Sequence, residues 1–329
     1  MRRFRISDLP AGAHRGKDFP IQWYETSDFR RLAWSTRVGR PNHEQDPMAP
    51  TIPVYPLPRR TYDPPAVVTE CLPSGHPLRS AVLVLGNFDG FHLGHQALAR
   101  MAHRLAAGRP VAVMSCEPHP RSFFGKDDTP FRLATPQCKL RLLVQCGVDF
   151  VYSPRFDAAF AGLSPSDFVD RVLVGALGVQ HVIAGPDFQF GSQRAGDMRL
   201  LSQLGSSRGF GVSIAPEVTH AGVRISSTLI RTAIEAGDLR GAAQLLGHGW
   251  LVETRRRPDG GLELHHDLCR PRAGRYLGRV DGPLGSGQQF SIDIAADGKF
   301  RPLGPQPIRD ASEMWRLEAQ VVRRKAGCP

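Results

Sequence analysis

The chain has 329 residues, a formal net charge of +11 and 41% hydrophobic residues. This length suffices for two domains, and no apolar run approaches the ~18 residues that a membrane span needs. The positive charge comes mainly from arginines scattered along the chain, a distribution that argues against nucleic-acid binding and favours a site for polyanionic nucleotides. With no apolar secretory signal and no CxxC pair among the six cysteines, the sequence predicts a cytoplasmic protein with reduced thiols.

The first 75 residues differ from the rest in their proline content. Ten prolines lie between Pro10 and Pro65, so residues 45–65 cannot form a helix and are typical of an extended linker. Aromatic residues within 21–34 are compatible with a segment that docks on the main domain or on a protein partner. A poorly ordered extension over residues 1–75 is the simpler prediction.

An apolar run, Ala81–Leu85, predicts a short buried strand. The sequence GNFDGFHLGH follows it at 86–95, and apolar residues at helical spacing continue over 97–105. The motif therefore lies where a strand feeds a helix, which is where ligands bind in open α/β sheets. The N-terminus of such a helix offers free N–H groups that suit phosphate.

The residue types of this motif point to nucleotide chemistry. His92 and His95 are three residues apart, so they share one face of a first helical turn and can donate hydrogen bonds to phosphate oxygens. Gly94 has no Cβ and allows a nucleotide to approach the backbone. Asn87 and Asp89 are suited to capping the helix or holding the loop. Ordinary polar loop histidines are the alternative, which the strand and helix on either side make less attractive.

A second buried strand, predicted over 110–115, is followed by Glu117-Pro118-His119-Pro120. The prolines stiffen this turn, although a plain tight turn is an equal alternative for His119. Further along, the pattern predicts a helix over 135–146, a strand over 149–152, a helix over 164–177, and strands over 181–184 and 211–214. Strands that alternate with helices indicate a parallel, Rossmann-like sheet.

The strand over 181–184 leads into GPDFQFG at 185–191. Phe188 and Phe190 are two residues apart, so on a strand they face one side, either as core or toward a flat ligand. Arg194 can bind phosphate with two parallel hydrogen bonds. By itself this pattern is a weak signal.

A cluster of hydroxyl side chains, Ser226, Ser227 and Thr228, precedes a predicted helix, and Arg231 lies one turn further on. Hydroxyl and N–H groups at a helix start form a phosphate cradle, and the arginine can balance charge on the β- and γ-phosphates. Ordinary helix capping is the alternative.

Residues 251–329 are rich in strand signals. Two apolar segments, 251–254 and 262–266, flank a Pro-Asp-Gly-Gly turn, which predicts a hairpin. The stretches 290–294 and 314–322 also predict strands.

Together, GNFDGFHLGHQAL, EPHP, GPDFQFG and ISSTLIR, in this order, resemble the FMN adenylyltransferase half of the bacterial bifunctional riboflavin kinase/FAD synthetases, a family of HxGH nucleotidyltransferases. The resemblance implies an α/β domain with a Rossmann-like parallel sheet over 76–250. The small β-rich domain over 251–329 would be diverged from a riboflavin kinase barrel, because it is short and lacks the G-F-P-T-A-N kinase signature. The Pro-rich extension is not part of the family pattern.

The implied activity is transfer of AMP from MgATP to FMN, giving FAD and pyrophosphate, without riboflavin kinase activity. The resemblance assigns catalysis to His92, His95, Ser227 and Arg231; ATP binding to Gly86, Asn87, Phe88, Asp89, Gly94, Ser226 and Thr228; and flavin binding to Glu117, Pro118, His119, Pro120, Asp187, Phe188, Phe190 and Arg194. Asp187 is also the carboxylate expected near Mg²⁺, directly or through water.

Two other functions remain open at this stage. Cys116 stands where the family usually has Phe, which favours a looser pocket and leaves room for a different phosphorylated, flavin-like acceptor. A catalytically inactive flavin-nucleotide-binding protein is the second, and a protein partner could bind through the N-terminal extension or the C-terminal domain.

Overall fold

The computed structural model describes residues 65–125, 129–259, 261–281, 289–304 and 312–320. Most of the predicted extension, including the aromatic segment 21–34, lies outside these residues. Within the described part of the chain, no helix combines the length and the apolar character required to cross a membrane.

Six parallel strands form one sheet in the spatial order β1-β4-β3-β2-β5-β6. They are β1 Ala66–Val68, β2 Val82–Leu85, β3 Val111–Met114, β4 Phe150–Tyr152, β5 His181–Ala184 and β6 Gly211–Ile214. The parallel Rossmann-like sheet and its five predicted strands are confirmed. The edge strand β1 was not predicted and lies inside the segment 1–75, so the sheet begins at Ala66. Three apolar residues after two prolines are too few to show a strand period.

Helices connect these strands. They are α1 Leu93–Ala106, α2 Pro120–Phe124, α3 Pro136–Gln145, α4 Ala158–Ala161, α5 Pro165–Asp167, which continues with π-type winding over Phe168–Leu177, α6 Met198–Arg208, α7 Ser227–Glu235 and α8 Leu239–Leu246. Ser164, the first residue of the predicted helix over 164–177, caps α5: its Oγ accepts a hydrogen bond from the Asp167 N–H, and Pro165 begins the helix.

The strand order places a topological switch point at β2. The chain builds β3 and β4 on one side of β2 and then crosses to add β5 and β6 on the other. Crevices at such a point, at the carboxyl ends of the strands, are the usual ligand sites of open α/β sheets. The segments that leave β2 and β5 carry the HxGH and DFQFG motifs.

The C-terminal part forms a closed antiparallel barrel in the order β10-β13-β12-β11-β14-β9. Its strands are β9 Trp250–Arg256, β10 Leu262–Leu264, β11 Gly274–Val280, β12 Gln289–Ile294, β13 Lys299–Leu303 and β14 Ser312–Gln320, and a separate hairpin pairs β7 Thr219–His220 with β8 Val223–Arg224. The predicted β-rich domain is therefore confirmed, and β9 and β10 form the expected hairpin.

One hydrophobic core joins the barrel to helices α7 and α8. Ile230, Ile234 and Leu246 from the helices are fully buried together with Trp250 and Trp315 from the barrel. Helix α7, which begins with the Ser/Thr cluster, therefore packs in one core with the barrel.

Candidate functional site

The segment after β2 makes a tight turn that delivers two histidines to the start of α1. Phe88, Gly90 and Phe91 have positive φ angles of 52°, 76° and 45°. His92 caps α1, and its Nδ1 accepts a hydrogen bond from the His95 N–H at 3.4 Å. The two imidazole rings stack with centroids 3.7 Å apart. The histidines thus share one face of the first turn, as predicted.

Gly94 lies against these rings. A Cβ at this residue would come within 3.1 Å of the His92 imidazole. The observed need for glycine is therefore room for the His92 ring, while close approach of a nucleotide to the Gly94 backbone stays a prediction.

Both histidines of the turn are neutral at ordinary pH. Burial, helped by the nearby charge of Arg224, lowers the pKa of His92 to about 4. Burial and the adjacent His92 lower the pKa of His95 well below its usual value. Because His92 Nδ1 accepts a hydrogen bond, its proton is assigned to Nε2, where it can be donated to a ligand. His95 Nδ1 is shut off from solvent and has no hydrogen-bond partner among the described residues.

Asp89 joins the turn to two other segments. Its buried carboxylate accepts hydrogen bonds from the Leu133 and Ala134 N–H groups at 2.8 and 3.0 Å. The other carboxylate oxygen pairs with Arg231 at 3.3 Å, and Ser227 Oγ donates to the Asp89 carbonyl at 3.1 Å. Burial raises the pKa of Asp89, against the opposing effect of Lys139, these amides and Arg231. Three predicted site residues therefore meet in one network.

The start of α7 lies beside this network. Ser226 Oγ caps the helix by accepting from the Leu229 N–H at 3.2 Å, and Arg231 donates to Thr228 Oγ1 at 3.1 Å. The first-turn amides of Ser227 and Thr228 have no acceptor inside the helix, because no turn precedes them. The arrangement leaves N–H groups, hydroxyls and a guanidinium for an anionic ligand.

A cavity of about 890 Å³ opens between the ends of β2, β3 and β5. The predicted site residues that line it are Gly86, Asn87, His119, Pro120, Asp187, Phe188, Phe190 and Arg194. Its apolar wall is made largely by Met114, Cys116, Phe124, Phe156, Phe160 and Phe168. This volume and mostly apolar lining are typical of a pocket for a small organic ligand.

Glu117 and Pro118 are not in the cavity lining. Arg132 donates to both Glu117 carboxylate oxygens at 3.0 and 2.8 Å, and Lys139 Nζ donates to one of them at 3.2 Å. Burial disfavours the charge of Glu117, but these two cations outweigh burial and lower its pKa. The Glu117 carboxylate therefore ties the EPHP turn to Arg132 and to Lys139 of α3, and its expected contact with a flavin stays a prediction.

Lys139 was missed by the sequence analysis. It is buried in α3 and also donates to Ser115 Oγ at 2.6 Å, while Ser115 Oγ donates to the Asn87 carbonyl at 3.3 Å. A signal was present in the sequence: Lys139 occupies the apolar stripe formed by Cys138, Leu142 and Leu143. A lysine at a core position requires charged or polar partners, and it therefore marks a polar site.

In the loop after β5, Phe190 is buried against Phe168 at a ring-centroid distance of 5.4 Å, so it belongs to the core. Phe188 is half-buried and stacks on Phe190 at 6.0 Å. Asp187 is 67% exposed and pairs with Arg224, which also contacts Glu217 at 3.1 Å.

A different group of residues has metal-like spacing. His265, His266 and Asp267 bring their ligand atoms within 4.8 Å of one another in the turn after β10. The Arg255 guanidinium contacts both imidazoles, and Arg132 Nε lies 3.8 Å from the Asp267 carboxylate. Arginines contact all three side chains of this cluster. Asp187 is likewise paired with an arginine, Arg224, and its place near Mg²⁺ stays a prediction.

Comparisons with known proteins identify the family of this chain. A family model described as FAD synthetase matches residues 75–229, which include all four motifs except the end of the last. The bifunctional riboflavin kinase/FMN adenylyltransferase of Escherichia coli K12 is 41% identical over 210 residues, covering 63% of this chain and 66% of that protein's length. The protein of the same name from Pseudomonas fluorescens is 40% identical over 250 residues, covering 74% of this chain and 79% of its own length.

A solved structure extends the likeness beyond the adenylyltransferase motifs. The crystal structure of a protein named macrolide-efflux protein from Streptococcus pneumoniae aligns with a TM-score of 0.65, covering 79% of this chain and 92% of that one. At 23% identity the likeness shows a shared fold and nothing further.

Proposed function

Because the chain belongs to the FAD synthetase family of nucleotidyltransferases, we propose that it transfers the adenylyl group of ATP to FMN. An oxygen of the FMN phosphate attacks the α-phosphorus of ATP, the bond to the β-phosphate bridging oxygen breaks, and FAD and pyrophosphate are formed. The observation that carries this proposal is the junction of two sites at the sheet edge. A phosphate-binding set around His92, His95 and α7 adjoins a mostly apolar cavity beside Asn87.

Catalysis in this proposal depends on position and electrostatics, as in other phosphoryl transfers. Neutral His92 and His95 donate hydrogen bonds to oxygens of the α-phosphate, where charge develops in the transition state. Arg231 and the amides of Ser227 and Thr228 hold the leaving phosphates. Asp89 fixes the turn and Arg231 relative to one another.

The flavin occupies the cavity, with its rings against the Phe188 side and the wall of Met114 and Cys116. Burial raises the pKa of the Cys116 thiol to about 12, so this wall is uncharged. A neutral, polarisable wall suits the apolar edge of an isoalloxazine ring.

Mg²⁺ fits the residues present. Asp187 is the one acidic residue in the described cavity lining, and it is exposed. Such a carboxylate suits an ion that retains several waters and binds chiefly through nucleotide phosphates, whose charge it neutralises when bound. Arg224, on β8, pairs with Asp187 and holds its carboxylate in place.

We further propose that the barrel performs no riboflavin phosphorylation, because G-F-P-T-A-N does not occur in the sequence. Relatives carry the name of a bifunctional enzyme, so this part of the proposal needs its own test.

The test uses the full chain with ATP and Mg²⁺ in two reactions, one containing FMN and one containing riboflavin, with flavins separated by chromatography. We expect FAD from FMN and no FMN from riboflavin. Bound flavin without FAD formation would move the assignment to a different phosphorylated acceptor or to a binding protein. FMN formed from riboflavin would show that the barrel is a kinase.

A further inference from the structure

A four-residue segment, 132–135, lies between the sheet and the barrel and contacts both. The Arg132 N–H donates to the Asp267 carbonyl, and the Arg132 carbonyl accepts from the Cys269 N–H, each at 2.9 Å. Thr135 Oγ1 donates to the Glu253 carboxylate at 2.6 Å. The segment is therefore bonded at both ends to the barrel.

The middle of this segment holds the histidine turn. The Ala134 N–H donates to Asp89 Oδ1 at 3.0 Å, and the Leu133 carbonyl accepts from the Trp250 indole N–H at 2.8 Å. These two bonds are made by the two ends of one peptide group. Trp250, on the first barrel strand, is thus linked to the Asp89 carboxylate through a single planar unit.

A planar peptide transmits this link directly. It rotates as one body, so fixing its carbonyl fixes the direction of its N–H. Hydrogen bonds in series also polarise each other inside a protein, so the indole strengthens the bond to Asp89. The other oxygen of Asp89 pairs with Arg231, which places the effect at the phosphate-binding set.

We propose that Trp250 is a positioning residue for adenylyl transfer, and that the barrel is thereby a structural part of the adenylyltransferase site. Trp250 does not line the cavity and lies in the barrel core, so it acts through the peptide and Asp89. The catalytic consequence rests on the proposed function, whereas the hold on Asp89 does not.

Trp315 provides a matched control. It is also fully buried in the barrel core, on the strand β14 that pairs with β9. Its indole nitrogen makes no hydrogen bond to any described residue. Trp250→Phe and Trp315→Phe therefore remove the same ring volume from the same core, but only the first removes the bond to the 132–135 segment.

Two measurements on the full chain test the proposal. Hydrogen exchange followed by mass spectrometry should show faster exchange of the Leu133 and Ala134 amides in Trp250→Phe and not in Trp315→Phe. The kcat for FAD formation should fall about tenfold in Trp250→Phe with little change in the KM for FMN, because misplacement of catalytic groups lowers rate more than binding. Trp315→Phe should retain the rate of the unchanged chain.

Equal effects of the two variants, on exchange and on kcat, would overturn the proposal, since lost core volume would then explain both. If Trp250→Phe does not fold, a benzothienylalanine placed at 250 keeps the ring shape and removes only the N–H donor. A normal exchange pattern and rate in that variant would refute the role of the hydrogen bond. An unchanged chain that makes no FAD would refute the proposed function, and the exchange difference would still decide whether Trp250 holds the turn.

Discussion

The turn after β2 and the loop after β5 leave the same edge of one sheet, yet they are held in different ways. The turn is fixed from three directions: Asp89 bonds to Leu133 and Ala134 amides, to Arg231 and, through its carbonyl, to Ser227. The loop carries the exposed carboxylate of Asp187, which is paired with Arg224, a side chain that is itself 45% exposed. Buried hydrogen-bond donors in fixed positions suit the stabilisation of a transition state, whereas exposed charged side chains can exchange partners as a ligand binds.

The difference predicts that changes in the turn affect the chemical step more than changes in the loop. His95→Ala is the strongest test, because the proposed mechanism makes His95 a hydrogen-bond donor to the charge that develops on the α-phosphate. We expect FAD formation to fall about 10²–10³-fold in kcat. His103→Ala, in the same helix and away from the turn, is the control. An unchanged rate in His95→Ala would remove His95 from catalysis.

Lys139→Met tests whether the positive charge of Lys139 keeps Asp89 ionised. Burial raises the pKa of Asp89, and the Lys139 charge opposes that rise. Without Lys139, Asp89 should take up a proton at higher pH and release Arg231. We expect about a tenfold lower rate at neutral pH, with the acid limb of the rate profile moved to higher pH.

Glu117 keeps its Arg132 partner in this variant, so no buried carboxylate is left unpaired. Lys299→Met, which removes an exposed lysine of the barrel, is the control. A lowered rate with an unmoved acid limb would show that Lys139 only fills space.

The same contrast explains what the sequence could reveal. The β2 turn, the α7 cluster and the sheet follow from local signals: buried apolar runs, a capping serine and histidines at helical spacing. The partners of these residues come from distant segments. Leu133 and Ala134 bind Asp89 through their backbones, so their side chains give no sign of it. Glu117 has the sequence of a ligand-facing turn, but cations 15 and 22 residues further along the chain take its carboxylate.

The barrel shows the same limit. Hairpin turns and the alternation of apolar and polar residues predicted its strands. The packing of α7 against the barrel, however, depends on a core shared by residues far apart in sequence. Lys139 was the exception, since a lysine within an apolar helical stripe was a readable signal of a buried polar site.

The free energy of unfolding should also depend on pH through a histidine beside the turn. Burial lowers the pKa of His248, beside the turn, to about 4, so the folded chain resists its protonation. The unfolded chain binds that proton below about pH 6.5, and the free energy of unfolding therefore falls as pH decreases from there toward 4. His248→Asn should reduce the loss between about pH 7 and about pH 5 by 1–2 kcal/mol in denaturant titrations.

His220→Asn, in the exposed β7–β8 hairpin, should leave that pH dependence unchanged. A pH dependence equally insensitive to both substitutions would contradict the role given to burial of His248.

The smallest effect is expected in the loop. Asp187 and Glu217 both contact Arg224, but only Asp187 lines the cavity. Asp187→Asn should raise severalfold the Mg²⁺ concentration that gives half the maximal rate, with a modest change in kcat, because phosphates and water supply most of the ion's ligands. Glu217→Gln should leave the Mg²⁺ dependence unchanged. If both variants behave alike, Asp187 serves only to hold Arg224, and the loop contributes no ligand to the metal.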